Sequence, residues 1–586
     1  MNLSYPGIRK MQWKIVIATV LCFFVLFTRD LSAQNFSQEQ RLKVVLHTHN
    51  TDEQRMVQDM ELDVLESGGT AVYVVAPSQF EQLQYAGVGI QIVGVEEGIT
   101  KIDAAYHSYE KICALMDSLS RMYPSITHID TVGFSQRDNR PILGMKISDN
   151  AHVTEDEPAV FFDGQHHASE PVSMECCLAL MDSLLKSYGS DARVTGWINS
   201  LEIWIVPCWN PDSWKLMVDT SASNFSQRRN LRDNNLNGRF DASTDGVNLN
   251  RNYDLNWSGG PASMTDANYR GPAPFSEKET QGKRDLALAK HFVLSLTYHS
   301  AGETVYYLWT KDGRSAPDQV LIKLIADSLA VRIPKYNRSG HYSTSLADCG
   351  RGCSDCWMYG IAGAIEYTVE TSDVSIPPGA KAMQIARDNI TGARFILDRM
   401  SGPGLLGHVT HASNGQPLPA TVRIRELADS LVAPRICEPE YGRYERLLLP
   451  GVYTIEVSLA GFETRIFNNV VVRADSITLF DIQLTPIQTY VGNNAIDFPS
   501  DVMLAQNYPN PFNPETVISY KLSVTSSVKL VVYDLLGREV AVLVNEERPS
   551  GSYTVRWNAG NLPSGVYVYR LNIGKESHSG KMILQK

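Results

Sequence analysis

His166 and His167 stand side by side in "FFDGQHHASEP", Glu170 follows three positions after the second histidine, and Pro171 comes next. Imidazole nitrogens and carboxylate oxygens are ligands of catalytic zinc, which takes three protein groups and leaves a fourth position open. A local pair and one remote residue make such a set, and His299, in "LSLTYHS", ends an apolar run like the one before His166. Asn210 and Glu370 also stand at the ends of apolar runs, "LEIWIVPC" and "IAGAIEYTVE".

Positioning these residues requires strands that end at one edge. Residues 102–400 open with an amphipathic helical stretch, "YHSYEKICALMDSLSRMYP", and then alternate apolar runs with helical ones. That alternation predicts a largely parallel or mixed sheet covered by helices on both faces. Ligands bind at the carboxyl edge of such sheets, where all the residues named above fall. The residue before a proline avoids the α region and proline suits a first helical turn. A helix is therefore expected from Pro171, with His166, His167 and Glu170 on the turn leading into it.

The flanking regions differ in pattern. Residues 34–100 alternate short strand-like and helical runs, as in a small α/β domain, and their place before a candidate enzyme makes them a candidate pro-segment. Residues 403–486 are short alternating strands separated by Gly, Pro and Asn turns, a β-sandwich pattern. Residues 487–586 begin as an Asn- and Pro-rich linker and end in a second all-β unit. In residues 1–33, Arg9, Lys10 and Lys14 precede "IVIATVLCFFVLF" and the small pair Ser32–Ala33. That is the order of a signal peptide, with an uncleaved anchor as the alternative. No other segment reads as a membrane span. A net charge of −11 and no basic stripe exclude an ordinary nucleic-acid binder. Of nine cysteines, Cys22 lies in the leader, and the remaining eight are compatible with one or two disulfides of unassigned pairing.

His167-x-x-Glu170 followed at long range by "YHS" resembles the zinc signature of the metallocarboxypeptidases related to pancreatic carboxypeptidases A and B. The resemblance extends to "NPD" at 210–212, to "GVNLNRNYD" at 246–254, close to the family's "GVDLNRN", and to the 13-residue spacing from Trp357 to Glu370. It implies a zinc carboxypeptidase fold, a mixed sheet of the eight-stranded type flanked by helices, and one zinc on His167, Glu170 and His299, with His166 a neighbour. It further implies that Glu370 is the general base, that Asn250 and Arg251 grip the substrate's terminal carboxylate, and that peptides or proteins with a free C-terminus are the substrates. A guanidinium suits that task because it binds a carboxylate through two parallel hydrogen bonds. Glu366, inside the strand, is the poorer candidate for the base.

Three departures from the pattern bear on the site. Ser169 replaces the arginine that usually precedes the metal-binding glutamate. The transition-state arginine falls in "RRNLRDN" (228–234), where Arg232 is assigned to the oxyanion, with Arg228 and Arg229 as other clamps. Family spacing back from Trp357 reaches Asp348 instead of the flap tyrosine, so Tyr342 is assigned that role across an inserted loop. Asp355, two residues before Trp357, occupies the place that holds Asp in members cutting basic C-terminal residues, which implies release of Lys or Arg. Its alternative is an ordinary loop carboxylate.

In "CGRGCSDC" (349–356) a loop disulfide is preferred over iron–sulfur or zinc ligation, because the chain is expected in an oxidising compartment. "DNNLNGRFD" (Asp233–Asp241) opens like a calcium loop but lacks the glutamate at the twelfth position, where Thr244 stands, so calcium or a solvated turn are its two readings. Residues 403–486 resemble the transthyretin-like module that often follows such carboxypeptidases. "LAQNYPNPFNPETVISYKL", "VYDLLGREVAVLV" and "SGVYVYRL" resemble the C-terminal sorting domain of the type IX secretion machinery of the Bacteroidetes–Chlorobi group. That likeness implies an exported or cell-surface bacterial protein. Two other functions fit parts of the pattern: a zinc amidase acting on cell-wall or γ-glutamyl peptides, and a surface binding protein with an inactive core.

Overall fold

The computed structural model describes residues 41–487 except 61, 67–71, 76, 97–100, 221–226 and 312–313, and residues 503–585 except 523 and 575. The expected leader at 1–33 lies outside the described residues. The chain divides into two units, Met1–Ile487 and Gln488–Lys586.

The first unit begins with an antiparallel sheet of β1 (Arg41–His47), β2 (Asp63–Glu66), β3 (Val72–Val75) and β4 (Gly89–Glu96), in the order β2-β3-β1-β4. Helices α1 (Thr51–Asp59) and α2 (Pro77–Tyr85) close a small core that includes Leu42, Val44, Val57, Leu62, Val75 and Leu83.

A second sheet forms the centre of the unit. After α3 (Tyr109–Met122) come β5 (Thr127–Phe134), β6 (Pro141–Ile147), β7 (Ala159–Gly164), α4 (Pro171–Ser187), α5 (Ala192–Ile198), β8 (Glu202–Val206) and α6 (Pro211–Asp219). They are followed by α7 (Lys278–Lys290), β9 (Leu294–His299), β10 (Thr304–Lys311), β11 (Arg314–Ser315), α8 (Gln319–Ala330), β12 (Ser343–Asp348), α9 (Ser354–Trp357), β13 (Ile365–Glu370) and α10 (Gly379–Arg399). The order is β11-β10-β13-β9-β7-β8-β6-β5, with β12 joined to β10. The sheet thus has nine strands, one more than the eight-stranded type expected from the sequence. Central strands β13, β9, β7 and β8 run parallel; outside them the pairs are antiparallel except β10 with β12, which is parallel.

Those four strands read as near-continuous apolar runs because helices bury both faces. Val160, Phe162, Ile203 and Ile205 join the core under α4 and α10, while Ala159, Phe161, Trp204 and Val206 join the core under α7 on the opposite face. The two sets alternate because successive strand side chains point to opposite faces. Twelve of the seventeen residues of α4 are buried, so the helix lies inside the molecule and holds the turn before it in place.

Residues 404–484 form two four-stranded sheets around Leu405, Val409, Val422, Ile455, Val457 and Ile482. Arg446 pairs with Asp318 at 2.9 Å and Arg443 with Asp156 at 3.1 Å, tying these sheets to the central one. In the second unit, a three-stranded and a four-stranded sheet share a core of Ile518, Tyr520, Val528, Leu530, Tyr569 and Leu571. Among the described residues, no helix is long and apolar enough to cross a membrane.

Candidate metal and substrate site

Strand β7 stops at Gly164, where a Cβ would stand 2.7 Å from the Ser173 carbonyl oxygen, so only glycine lets the strand end pass this close to α4. Gln165 then turns through φ +57°, an uncommon conformation for a residue with a side chain, and its N–H donates to Ser173 Oγ at 3.0 Å. The turn delivers His167 and Glu170 to the sheet edge. His299 arrives at the end of β9, and parallel register sets Glu370 of β13 directly beside it.

His167, Glu170 and His299 are buried, and their ligand atoms lie within 4.8 Å of one another. Glu170 Oε1 is 2.9 Å from His167 Nδ1, Glu170 Oε2 is 2.8 Å from His299 Nδ1, and the two Nδ1 atoms are 3.2 Å apart. His167 Nε2–H donates to Asn248 Oδ1 at 3.0 Å, which leaves the Nδ1 lone pair directed into the cluster. That lone pair, a second imidazole nitrogen and a carboxylate facing one point make a donor set that fits zinc. Burial raises the Glu170 pKa, but the two imidazoles outweigh it and hold the carboxyl well below its usual range. His166 lies outside the ligand set: its Nε2 contacts the Tyr253 hydroxyl at 3.0 Å, and its ring stacks on His299. Asn210 Nδ2 donates to the His166 carbonyl at 3.2 Å and braces the turn.

The cluster opens into a cleft. Arg228, Asn250, Arg251, Asp355 and Glu370 line it together with Glu170 and His299. Arg228 Nη1 is 2.6 Å from Glu170 Oε1, and burial together with the nearby Arg251 pulls its pKa down. Two guanidiniums converging in a partly dry cleft repel each other, and an incoming anion relieves that repulsion. Asp355 is buried, accepting from Cys356 N at 2.8 Å and Thr368 Oγ1 at 3.2 Å, and burial raises its pKa.

Two assignments made from the sequence change. Arg232 points elsewhere: its guanidinium pairs with Glu277 at 3.1 Å, outside the cleft, and Arg228 takes the place beside the metal cluster. Tyr342 is sealed in the core, where its hydroxyl donates to the Thr371 carbonyl and accepts from Asn389 Nδ2 at 3.3 Å. The segment after it becomes β12 and builds the cleft wall as a strand. Arg229 donates to the carbonyls of Met264 and Ala242 and is a loop brace.

The Asp233–Asp241 loop gathers no calcium ligand set. Asp233 accepts from the amides of Asn237 and Gly238, and Asp241 accepts from the side chains of Asn235 and Asn237, so the loop oxygens are turned on the loop itself. Among the described residues, the only other group spaced to hold an ion is Asp149, Glu155 and Glu157. Cys349 and Cys356 form a disulfide, and Cys353 between them is a free thiol 3.5 Å from Arg251 Nη1.

Sequence reasoning missed Tyr306 and Asn248. Antiparallel register sets Tyr306 opposite Thr368 and Thr304 opposite Glu370, and parallel register sets Ser345 and Ser343 beside them. All of these line the cleft, so three strands present one hydroxyl-rich face. Burial and Glu370 push the Tyr306 hydroxyl up to about 12. The alternation of Thr304 and Tyr306 was the available signal. Asn248, standing where the resembling stretch has Asp, could have been found by alignment to that motif.

Residues 112–392 match the family model described as zinc carboxypeptidase, and residues 506–585 match a secretion system C-terminal sorting domain. Residues 112–392 are thus similar to zinc carboxypeptidases. Carboxypeptidase A2 of Mus musculus is 25% identical over 316 residues, 52% of this chain and 72% of that protein. Carboxypeptidase B of Astacus astacus is 26% identical over 279 residues, covering 46% of this chain and 87% of that protein. Carboxypeptidase D of Rattus norvegicus is 25% identical over 409 residues, which are 67% of this chain and 28% of that protein. Among solved structures, carboxypeptidase A from Helicoverpa armigera superposes with a TM-score of 0.51 at 20% identity, over 61% of this chain and 98% of that one, a likeness of fold. A zinc carboxypeptidase match and a secretion sorting-domain match in one chain are what a secreted metallocarboxypeptidase would carry.

Proposed function

We propose that the protein removes C-terminal Lys or Arg from peptides by hydrolysis, with His167, Glu170 and His299 holding one zinc ion. The observation that carries this reading is the cleft itself. Glu170 and His299 of the cluster spaced to hold a metal, Glu370, two arginines and a buried aspartate line one pocket there. Zinc, when bound, supplies the Lewis acidity that polarises a scissile carbonyl and makes water acidic near neutral pH.

Glu370 stands beside His299 at the open side of the cluster, takes a proton from the attacking water and passes it to the leaving amine. Arg228 donates to the oxyanion that develops on the former carbonyl oxygen. Asn250 and Arg251 hold the terminal carboxylate, which restricts cleavage to the last residue. Asp355 faces the side chain of that residue, and a cationic partner offsets the burial of its carboxylate. Asn248 holds His167 in the tautomer that presents Nδ1 to the ion.

The small N-terminal domain acts as a pro-segment. Leu62 lines the same cleft, and Tyr73 is close enough to Tyr306 to affect its ionisation, so the domain covers substrate space. Residues 404–484 serve as an accessory module braced on the catalytic sheet.

Release of the last amino acid from matched peptides ending in Arg, Lys, Leu or Phe, with and without a zinc chelator, tests this reading. Chelator-sensitive release of Arg and Lys is expected. Release of Leu or Phe alone would discard the role of Asp355, and no release by zinc-loaded protein freed of its N-terminal domain would discard the activity on α-peptides.

A further inference from the structure

Asn250 reaches the cleft from the turn Leu249–Arg251, and a side-chain amide can face a ligand with either its oxygen or its nitrogen. Only the nitrogen can donate to a carboxylate. Ser354 N–H donates to Asn250 Oδ1 at 2.8 Å, which occupies the oxygen and leaves Nδ2 for the cleft.

Ser354 is in turn held from below. Its hydroxyl donates to Glu366 Oε1 at 2.7 Å, while Glu366 Oε2 accepts from Ser295 Oγ at 2.7 Å. Lys283 Nζ lies 3.1 Å from Glu366 Oε2 and 2.6 Å from Asp163 Oδ2, and Trp209 Nε1–H donates to the same Asp163 oxygen at 2.8 Å. Glu366, Lys283, Asp163, Ser295 and Ser354 are each fully buried at 0% exposure. Two carboxylates around one ammonium, with every link hydrogen-bonded, are held rigidly because a loosened member would be a buried unpaired charge. The hydrolytic steps use none of these five side chains. The network reaches the cleft through Ser354, whose hydroxyl meets the buried carboxylate and whose amide meets Asn250.

We propose that Glu366, acting through Ser354, is a positioning residue that fixes the Asn250 amide with its nitrogen toward the substrate's terminal carboxylate; this rests on the carboxylate-clamp reading of Asn250 given above. Glu366 touches no substrate. It sets the orientation of a group that does, so its effect falls on substrate binding and leaves the chemical step alone.

Removing Glu366 itself risks the fold, because Lys283 would lose a buried partner. Ser354→Ala removes only the hydroxyl. The test is a double-mutant cycle in the chain freed of its N-terminal domain and loaded with zinc, with kcat and KM measured on one peptide ending in Arg for wild type, Ser354→Ala, Asn250→Ala and the double variant. Ser354→Ala is expected to raise KM about fivefold to tenfold, the scale of one ordinary hydrogen bond, with kcat within about twofold. In the Asn250→Ala background the same change is expected to move KM by less than about twofold. An unchanged KM in Ser354→Ala, an equal rise in both backgrounds, or a fall in kcat instead would overturn the proposal while leaving the clamp intact. An Asn250→Ala variant with wild-type KM would reject the clamp, and the positioning role with it.

Discussion

The candidate metal cluster and the outer wall of the cleft lie on the same sheet edge, yet they are built in opposite ways. The cluster grows from central parallel strands buried on both faces: His167 and Glu170 sit on the turn between β7 and α4, and His299 ends β9. The wall grows from outer strands and a loop: β10, β12 and the segment closed by the Cys349–Cys356 disulfide. Ser343 is exposed there and Leu346 retains 37% exposure, whereas His167 and His299 retain 0% and 2%. Chemistry that tolerates little displacement is placed where packing is densest. In the proposed reading, selectivity falls where a strand can be added and a loop inserted without disturbing the centre.

The largest effect expected from this contrast separates the two arginines. Arg228→Ala should lower kcat about 100- to 1000-fold, as for loss of one oxyanion donor, while Arg232→Ala should change it less than about threefold. Equal losses in steady-state kinetics would place both in the cleft and break the distinction between centre and periphery.

Asp355→Asn sharpens it from the side of the wall. On peptides ending in Arg, kcat/KM should fall about 30- to 100-fold, the scale of one desolvated charge pair, with peptides ending in Leu unaffected. A parallel loss on both peptides would mean that Asp355 supports the loop and reads no charge.

For Tyr342→Phe the expected result is structural. The variant should lose about 1–2 kcal/mol in denaturant unfolding, for two buried hydrogen bonds, with kcat within about twofold. A kcat loss above about tenfold would return this tyrosine to the active site.

The smallest effect concerns how α4 is held. His107 Nδ1 lies 2.8 Å from the buried Glu175 carboxylate of α4, and that hydrogen bond raises the His107 pKa. A raised folded pKa gives stability that is fully present below about pH 6.5, the unfolded value, and is lost as pH rises through the folded value. With His107 about one-third exposed at 32%, solvent screening limits the effect. His107→Gln should therefore lower stability by about 0.5 kcal/mol in acid solution and by almost nothing at alkaline pH. A difference that grew with pH would reverse the sign of this linkage.

How much of the site was legible in the sequence follows the same contrast. His167, Glu170 and His299 could be picked out as candidate ligands because ion-binding side chains are of a few types and these follow apolar runs, and a proline marked where the helix begins. Glu370 was legible as the end of an apolar run. Arg232 and Tyr342 were misplaced because spacing alone fixes which residue is near, and long side chains on loops choose partners that only packing reveals. Glu277 captured Arg232, and the Thr371 carbonyl captured Tyr342. The ninth strand was hidden because "STSLAD" is polar on both faces, so its pairing with β10 rests on backbone hydrogen bonds and not on an apolar stripe. The Asp233–Asp241 loop looked like an ion site because Asx turns and calcium loops use the same residues.

The central claim is that a metal-holding triad and a separate carboxylate base meet at the ends of β7, β9 and β13. It is tested most directly by Glu370→Gln in the chain freed of its N-terminal domain, with zinc content and the rate of C-terminal residue release measured on the same sample. The account predicts one zinc per chain and a rate lowered about 1000-fold or more, with KM little changed. A variant that binds zinc and keeps its rate within about tenfold would show that another group carries the proton.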